Sequence, residues 1–348
     1  MKKYLLYLLT ILLVACGDNK KDSVKYDSSS LYNCKETYRI TDDIPLDIEL
    51  IDPDQLICIN DTILAIKDFE KNGCYAHLIT TKGKYLCSFG RKGKGKGEII
   101  SPQSISISED GKYIYIYDYS LSQSVKYSIS DLLAGKINGE NVKYRNMLPP
   151  GVNRFNDVIH FSEIKFVGFG YNDLCRVINI DGGISHNYTD YPNVTDDIEC
   201  VWSIWSNSAK YAISKDKKRI VVGTGIGMVF EIFNIDNNNI YSHIVKGFHK
   251  PVFGIASGAK PLCVTFVDET FEGFTTIFAD NDVFYGCIRG EAPNYNSGNV
   301  IYCFNYNGKL VKKIKIDYQI VCLTVNENII YIIIENEFGE YMLKKLYI

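Results

Sequence analysis

From residue 53 onward, short apolar runs recur in pairs, and each pair is joined by a compact turn of Asn, Asp, Gly or Lys. Leu56-Ile-Cys-Ile59 and Thr62-Ile-Leu-Ala-Ile66 flank Asn60-Asp61, and His77-Leu-Ile-Thr80 and Tyr85-Leu-Cys-Ser-Phe89 flank Thr81-Lys-Gly-Lys84. Ser104-Ile-Ser-Ile-Ser108 and Tyr113-Ile-Tyr-Ile-Tyr117 flank Glu109-Asp-Gly-Lys112, and Tyr211-Ala-Ile213 and Ile220-Val-Val222 flank Lys215-Asp-Lys-Lys218. The run ending at Ile180 turns at Asp181-Gly-Gly183, the run beginning at Val300 turns at Tyr306-Asn-Gly-Lys309, and residues 329–335 and 341–348 form the last hairpin. A two-residue period bounded by such turns builds antiparallel strands. Abundant Tyr and Phe, 26 and 17 of them, suit strands as well. A helical period is almost absent; Asp131-Leu-Leu-Ala-Gly135 reads as a single short turn.

The strand groups repeat at about 40–55 residues, the period of propeller blades. A lone blade is a twisted sheet that cannot cover both its faces. Stacking blades around an axis buries those faces and leaves only short edges. The period predicts about six blades, near 53–98, 99–150, 151–203, 204–247, 248–315 and 316–348. The expected fold class is all-β: a six-bladed β-propeller over residues 35–348. The final segment holds too few strands for a blade, and residues 36–50 carry one strand with no hairpin partner. The N-terminal strand is therefore expected to complete the last blade, with residues 39–50 beside 341–348.

The amino end has a separate logic. Lys2 and Lys3 precede an apolar run from Tyr4 to Val14, closed by Leu13-Val14-Ala15-Cys16. That order is a secretory signal, and the run is about half the length a membrane span needs. Leu-Val-Ala-Cys resembles the lipobox of bacterial lipoproteins, which implies lipidation of Cys16 after removal of residues 1–15. Residues 16–34, polar and without periodicity, are expected to be a solvated tether. The address is then the cell envelope: a lipid-anchored outer-membrane protein, periplasmic or surface-exposed. The chain carries a formal charge of −3, and losing Lys2 and Lys3 makes the remainder more acidic still. An acidic body argues against nucleic acid as a partner. Cys58, Cys87, Cys263, Cys287, Cys303 and Cys322 sit inside apolar runs, as small buried hydrophobes do. No CxxC pair or Cys/His cluster has zinc spacing.

Leu78-Ile-Thr-Thr-Lys-Gly-Lys-Tyr-Leu-Cys-Ser-Phe-Gly-Arg-Lys-Gly-Lys-Gly-Lys-Gly-Glu98, followed by Ser101-Pro102, resembles the first blade of the TolB-like six-bladed β-propeller lipoproteins of Bacteroides-type bacteria. Phe304-Asn-Tyr-Asn-Gly-Lys-Leu-Val-Lys-Lys-Ile-Lys-Ile316 is similar to their last blades. In one departure, Lys96 stands where the family has Pro before Gly-Glu. The resemblance implies a fold and an envelope address. It implies no reaction, because the family has no settled activity.

Gly90-Arg-Lys-Gly-Lys-Gly-Lys-Gly97 gathers Arg91, Lys92, Lys94 and Lys96 as candidate anion contacts. It falls short of a phosphate loop, because Gly97 replaces the magnesium-binding hydroxyl and no helix follows. The alternative is an inter-blade connection using glycine's positive φ. Gly223-Thr-Gly-Ile-Gly227 precedes a strand, so a bulge or close backbone approach fits better than a dinucleotide site. The acidic run from Asp42 to Asp54 lacks calcium-loop spacing and alternates with apolar residues, as the wet face of a strand does. Trp202 and Trp205, near one another in an expected crossover, are candidate aromatic contacts for a sugar or a partner, or else core residues. The five histidines show no metal spacing, and no nucleophile elbow occurs. No catalytic residue, metal ligand or cofactor is therefore assigned. The expected function is a membrane-anchored binding or scaffold module for a glycan, peptide or protein. The alternative is a calcium-dependent lactonase-like or hydrolase-like enzyme with its site in the central channel.

Overall fold

The computed structural model describes residues 24–143, 148, 154–163, 165–171, 176–180, 186–189, 192, 194, 204–205, 209–255, 264–265, 267–291 and 298–348. The signal, Cys16, Trp202, Cys263 and the Asp181-Gly-Gly183 turn lie outside the described residues. Among the described residues the first elements are helix α1 (Ser29–Asn33) and the short strands β1 (Glu36–Tyr38) and β2 (Asp42–Ile44). Successive meanders follow: β3 (Gln55–Asn60), β4 (Ile63–Lys71), β5 (Cys74–Thr80) and β6 (Tyr85–Arg91); then β7 (Pro102–Ile107), β8 (Tyr113–Asp118), β9 (Gln123–Ser128), helix α2 (Ile129–Leu133) and β10 (Glu140–Lys143). The third is β11 (Phe155–His160), β12 (Phe166–Tyr171), β13 (Arg176–Ile180) and β14 (His186–Thr189), and the fourth is β15 (Lys210–Ile213), β16 (Arg219–Gly223), β17 (Met228–Asp236) and β18 (Asn239–His249). After a two-stranded insert, β19 (Gly254–Ile255) and β20 (Val264–Thr265), come β21 (Phe271–Ala279), β22 (Val283–Glu291), β23 (Val300–Asn305) and β24 (Leu310–Lys315). The last three strands are β25 (Gln319–Asn326), β26 (Ile329–Glu335) and β27 (Tyr341–Tyr347).

Pairing gathers these strands into six sheets of four or five, one per blade. The insert displaces the start of the fifth blade from residue 248 to 271, because β18 runs on to His249. Each adjoining pair of blades shares an apolar cluster. Blades 1 and 2 join through Leu78, Phe89, Ile116 and Tyr127; blades 2 and 3 through Tyr117, Phe155 and Phe166. Blades 3 and 4 join through Phe169, Trp205 and Phe233, blades 4 and 5 through Phe230, Phe274 and Phe304, and blades 5 and 6 through Cys287, Ile314 and Ile332. Leu56, Ile66, Tyr331 and Leu343 join blade 6 back to blade 1, together with Ile44 and Leu50 from the N-terminal segment. The chain is an all-β propeller.

Local chemistry sets these elements. Two inner hairpins carry the same Ser-x-Asp turn: Ser108 Oγ accepts the Tyr113 N–H at 2.9 Å, and Ser214 Oγ accepts the Arg219 N–H at 3.0 Å. Each serine hydroxyl also donates to the aspartate two residues on, Asp110 or Asp216. The side chains thus replace backbone partners where the strand reverses. The Gly223–Gly227 stretch is the backbone joint between blades 4 and 5. Gly273 N–H donates to Gly225 O at 2.9 Å and Gly227 N–H to Phe271 O at 2.7 Å. A Cβ on Gly273 would lie 2.0 Å from Gly227 O, so only glycine allows this approach.

The N-terminal segment differs from expectation. Residues 24–34, read as solvated tether, are docked on the outer edge of the ring. Tyr26 bridges to Gly247 in parallel, its hydroxyl donates to Val194 O at 3.1 Å, and Leu31 is buried in the cluster between blades 4 and 5. The polar composition hid two anchors, Tyr26 and Leu31, that repay ordering by burying apolar surface. Strand β1 then pairs in parallel with β24, Glu36 opposite Lys313. Strand β2 pairs antiparallel with β27, Asp42 opposite Lys345 and Ile44 opposite Leu343. One segment thus adds backbone pairing to the rims of blades 4, 5 and 6 in turn.

His160 sits between blades 2 and 3, stacked on Tyr115 with ring centroids 4.1 Å apart. Its Nδ1 donates to Ser162 O at 2.9 Å and its Nε2 accepts from Ser124 Oγ at 3.1 Å, the neutral form of the ring. Burial holds its pKa down to about 4, against 6.5 ordinarily. Between these values the unfolded chain takes up a proton that the folded chain refuses. The stability this site contributes is therefore full above pH 6.5 and declines towards pH 4, by roughly 3 kcal/mol. Urea unfolding of the wild type and His160→Gln should show a stability difference that changes by that amount between neutral pH and pH 4. The comparison cancels the buried Asp157, whose burial raises its pKa and acts in the opposite sense. A pH-independent difference would mean that His160 keeps its proton when folded.

Candidate functional site

Charged residues meet near the starts of the innermost strands, where several blades face the axis. Asp54 precedes β3, Lys67 lies opposite Gln55 in β4, Ser104 is in β7, Asp157 in β11, Lys210 opens β15, and Glu272 and Arg289 belong to the fifth blade. Lys210 feels Asp54, Lys67, Asp157 and Arg289, which come from three other blades. Most of these charges are already engaged. Buried Lys67 donates to Asp54, Ser104 Oγ donates to Asp157, and Arg289 pairs with Glu272 at 3.4 Å. Asp157 also accepts the Val158 N–H at 2.7 Å. Lys210 is solvent-accessible and has no ion-pair partner among the described residues. Desolvation by the surrounding walls lowers its pKa, and its neighbours Asp54 and Asp157 only partly oppose this. The arrangement is an exposed lysine near the axis whose neighbouring carboxylates are occupied.

The axial ring is held rigidly. Gln55 reaches across to the second blade, its Nε2 donating to Ile105 O at 3.0 Å and its Oε1 accepting Ile105 N–H at 2.7 Å. Asp68 accepts the Asp52 N–H at 2.7 Å and the Ile51 N–H at 3.0 Å, which fixes the chain where it enters blade 1. His77 Nε2 stands 3.6 Å from the Asp68 carboxylate.

The basic Gly90–Gly97 loop divides into two parts. Arg91 lies 3.8 Å from Glu98 and Lys92 pairs with Glu70, so these two cations are committed within the protein. Lys94 and Lys96 instead line an open groove of about 700 Å³ with Gln123, Asn141 and Lys143. Gly90 and Gly97 adopt φ of +75° and +74°, and Gly97 N–H is held by Asn141 Oδ1 at 2.6 Å. The loop is an inter-blade connection, as its glycines allow.

Trp205 is a correction. Of its two readings, aromatic contact or core residue, the structure supports the second: the ring is fully buried among Val167, Phe169, Ile178 and Val222, with no face open to a ligand. An apolar cluster between two blades has more use for a large ring than a polar surface has. His243 meets Glu231 at 2.6 Å and His249 stacks on Phe271, so both histidines serve local packing. Cys287, Cys303 and Cys322 are buried free thiols, whereas Cys58 and Cys87 are half-buried. Among the described residues no three His, Cys, Asp or Glu side chains come together as a metal-holding group. Lys210 carried no motif. Only the ring closure of the fold, which brings strand starts together, could have singled it out.

This architecture, a ring of six sheets with polar residues meeting at its axis, defines a six-bladed propeller. The chain belongs to the TolB-like 6-blade propeller-like family, whose profile matches residues 45–328. Among solved structures it is similar to a member of the DUF4221 family from Bacteroides vulgatus, at 11% identity and a TM-score of 0.56, over 90% of this chain and 97% of that one. A Bacteroides fragilis protein, provisionally described as exported, aligns at 10% identity and a TM-score of 0.52, over 90% and 99%. A Xanthomonas campestris gluconolactonase aligns at 11% identity and a TM-score of 0.50, over 94% of both chains. These likenesses are of fold. No curated protein matches the sequence.

Proposed function

We propose that the chain is a lipid-anchored envelope protein whose propeller is a binding module, and that an anionic ligand, such as an acidic glycan or a peptide carboxylate, docks at Lys210 in the channel. The observation that carries this reading is Lys210, an exposed residue with no ion-pair partner among the described residues, beside carboxylates that already have partners. An anion there would restore the charge balance that desolvation disfavours. The address rests on the Lys2 to Cys16 pattern, and the Bacteroides fragilis neighbour provisionally described as exported agrees with it. The lactonase-like alternative needs carboxylates free to hold a cation, whereas Asp54 and Asp157 are engaged by Lys67 and Ser104. We also assign ring closure to β2, which supplies the outermost strand beside β27.

Titration with a uronic-acid oligosaccharide tests the site. Lys210→Ala should weaken binding at least about tenfold, the scale of one lost charge-assisted hydrogen bond. Lys210→Arg should retain most of the affinity, and Lys94→Ala with Lys96→Ala should leave it unchanged. Wild-type affinity in Lys210→Ala, or a loss only in the loop double variant, would remove the channel from consideration.

A further inference from the structure

The rim where the N-terminal segment docks differs in charge from the rest of this acidic chain. Lys25, Lys35, Arg39, Lys246 and Lys309 are exposed there, and none is ion-paired among the described residues. The acids nearby are engaged: Glu36 lies between Lys313 and Lys315, Asp27 accepts from Ser29, and Asp317 accepts from the Tyr38 hydroxyl. Amphipathic rings project among the cations, with Tyr32 73% and Tyr241 68% exposed. Cations interspersed with tyrosines match a phospholipid headgroup layer, which offers negative charge above an apolar boundary.

Chain length limits where a membrane could lie. Only residues 17–23 separate Cys16 from Val24, and Asp27 N–H is already bonded to Gly247 O at 3.0 Å. Eight residue steps reach at most about 29 Å when fully extended. A compact chain of this length has a radius of gyration of about 20 Å, hence a diameter near 50 Å. A lipid on Cys16 could therefore bring the rim of blades 4 and 5 to the bilayer but not the opposite rim of blades 1 and 2.

We propose that the outer rim of blades 4 and 5, with its docked N-terminal segment, rests on an anionic bilayer surface. The propeller then stands on edge, with its channel axis parallel to the membrane and both channel mouths open to the solvent. This inference rests on the lipid-anchor reading above and adds an orientation to it.

The test uses the mature lipidated chain on phosphatidylcholine–phosphatidylglycerol vesicles, with amine labelling mapped by mass spectrometry and flotation measured in parallel. Labelling of Lys25, Lys246 and Lys309 should slow about fivefold relative to the protein in detergent, the factor a lysine gains close to an anionic surface. Lys82 and Lys84, exposed on blade 1, should label at unchanged rates. Replacing Lys25, Lys246 and Lys309 by Glu should abolish the protection of Lys35 while the protein still floats. Flotation with no difference between the two rims would overturn the orientation and leave the anchor standing. Failure to float would overturn the anchor, and the orientation with it.

Discussion

A chain beginning at residue 52 should lose most of its stability relative to one beginning at residue 24. The truncation removes Leu31, Ile44 and Leu50, all buried, and with them the backbone pairing of β1 and β2. Burying each such aliphatic side chain stabilises by about 1.5–3 kcal/mol. Three of them amount to much of the roughly 5–15 kcal/mol that separates a folded domain from its unfolded chain. The loss falls on the seam between blades 6 and 1, where Ile44 and Leu50 pack with Leu56, Tyr331 and Leu343. A point substitution probes the same seam from the other side. Gly83, at φ +85°, has room for no side chain, because a Cβ would lie 1.9 Å from Pro45 O. Gly83→Ala should push residues 44–47 off blade 1 and break the bond from Asp47 N–H to Gly83 O. Thermal and urea unfolding of both variants would measure the effect. A truncated chain as stable as the longer one would show that blades 1 to 6 hold together without the N-terminal strand.

Phe230→Ala should be the most costly single truncation of a side chain. The ring is fully buried, with Phe284 and Phe304 at 5.0 Å, Phe248 at 5.8 Å and Phe274 at 6.1 Å between centroids. Phe274 and Phe284 meet it edge-on, the arrangement aromatic quadrupoles favour. The neighbours come from blade 5 and from the same blade, so the cavity would open at an interface that rigid sheets cannot close. The expected cost is about 3–5 kcal/mol, a fall in melting temperature of roughly 5–8 °C for a chain of this size. Phe230→Leu should recover part of the loss. A change below about 1 kcal/mol for the alanine variant would mean that the blades can collapse onto the gap.

Most of the hairpins were legible because two local signals coincide in them: a two-residue apolar period and a turn with fixed chemistry. Tyr113–Asp118 and Ile329–Glu335 are examples, each preceded by a Gly- or Asn-bearing turn. The start of blade 5 was misplaced because nothing in residues 250–268 distinguishes an insert from a first strand. The fate of Trp205 was ambiguous, since a tryptophan between an isoleucine and a serine, outside any two-residue apolar run, fits a surface and a core equally well. Residues 24–34 were misread because docking depends on a surface made of distant strands: the edge of β18 for Tyr26, and Phe248 and Phe304 for Leu31. Similarly, four cations in one loop looked equivalent. Glu70 and Glu98 took two of them through contacts that only folding creates. Lys210 was invisible because its meaning lies in convergence at the axis and not in any neighbour along the chain.

The thiols packed into blades 5 and 6 have a consequence beyond filling space. Burial raises the pKa of Cys303 to about 11 and pushes those of Cys287 and Cys322 well above the ordinary thiol value. Held as protonated sulfhydryls away from solvent, they are poor nucleophiles while the sheets stay stacked. Their alkylation would then proceed only when neighbouring blades part. The ring thus carries internal chronometers: the rate at which each sulfur is trapped by a reagent records how often its own seam breathes, without any probe having to be added.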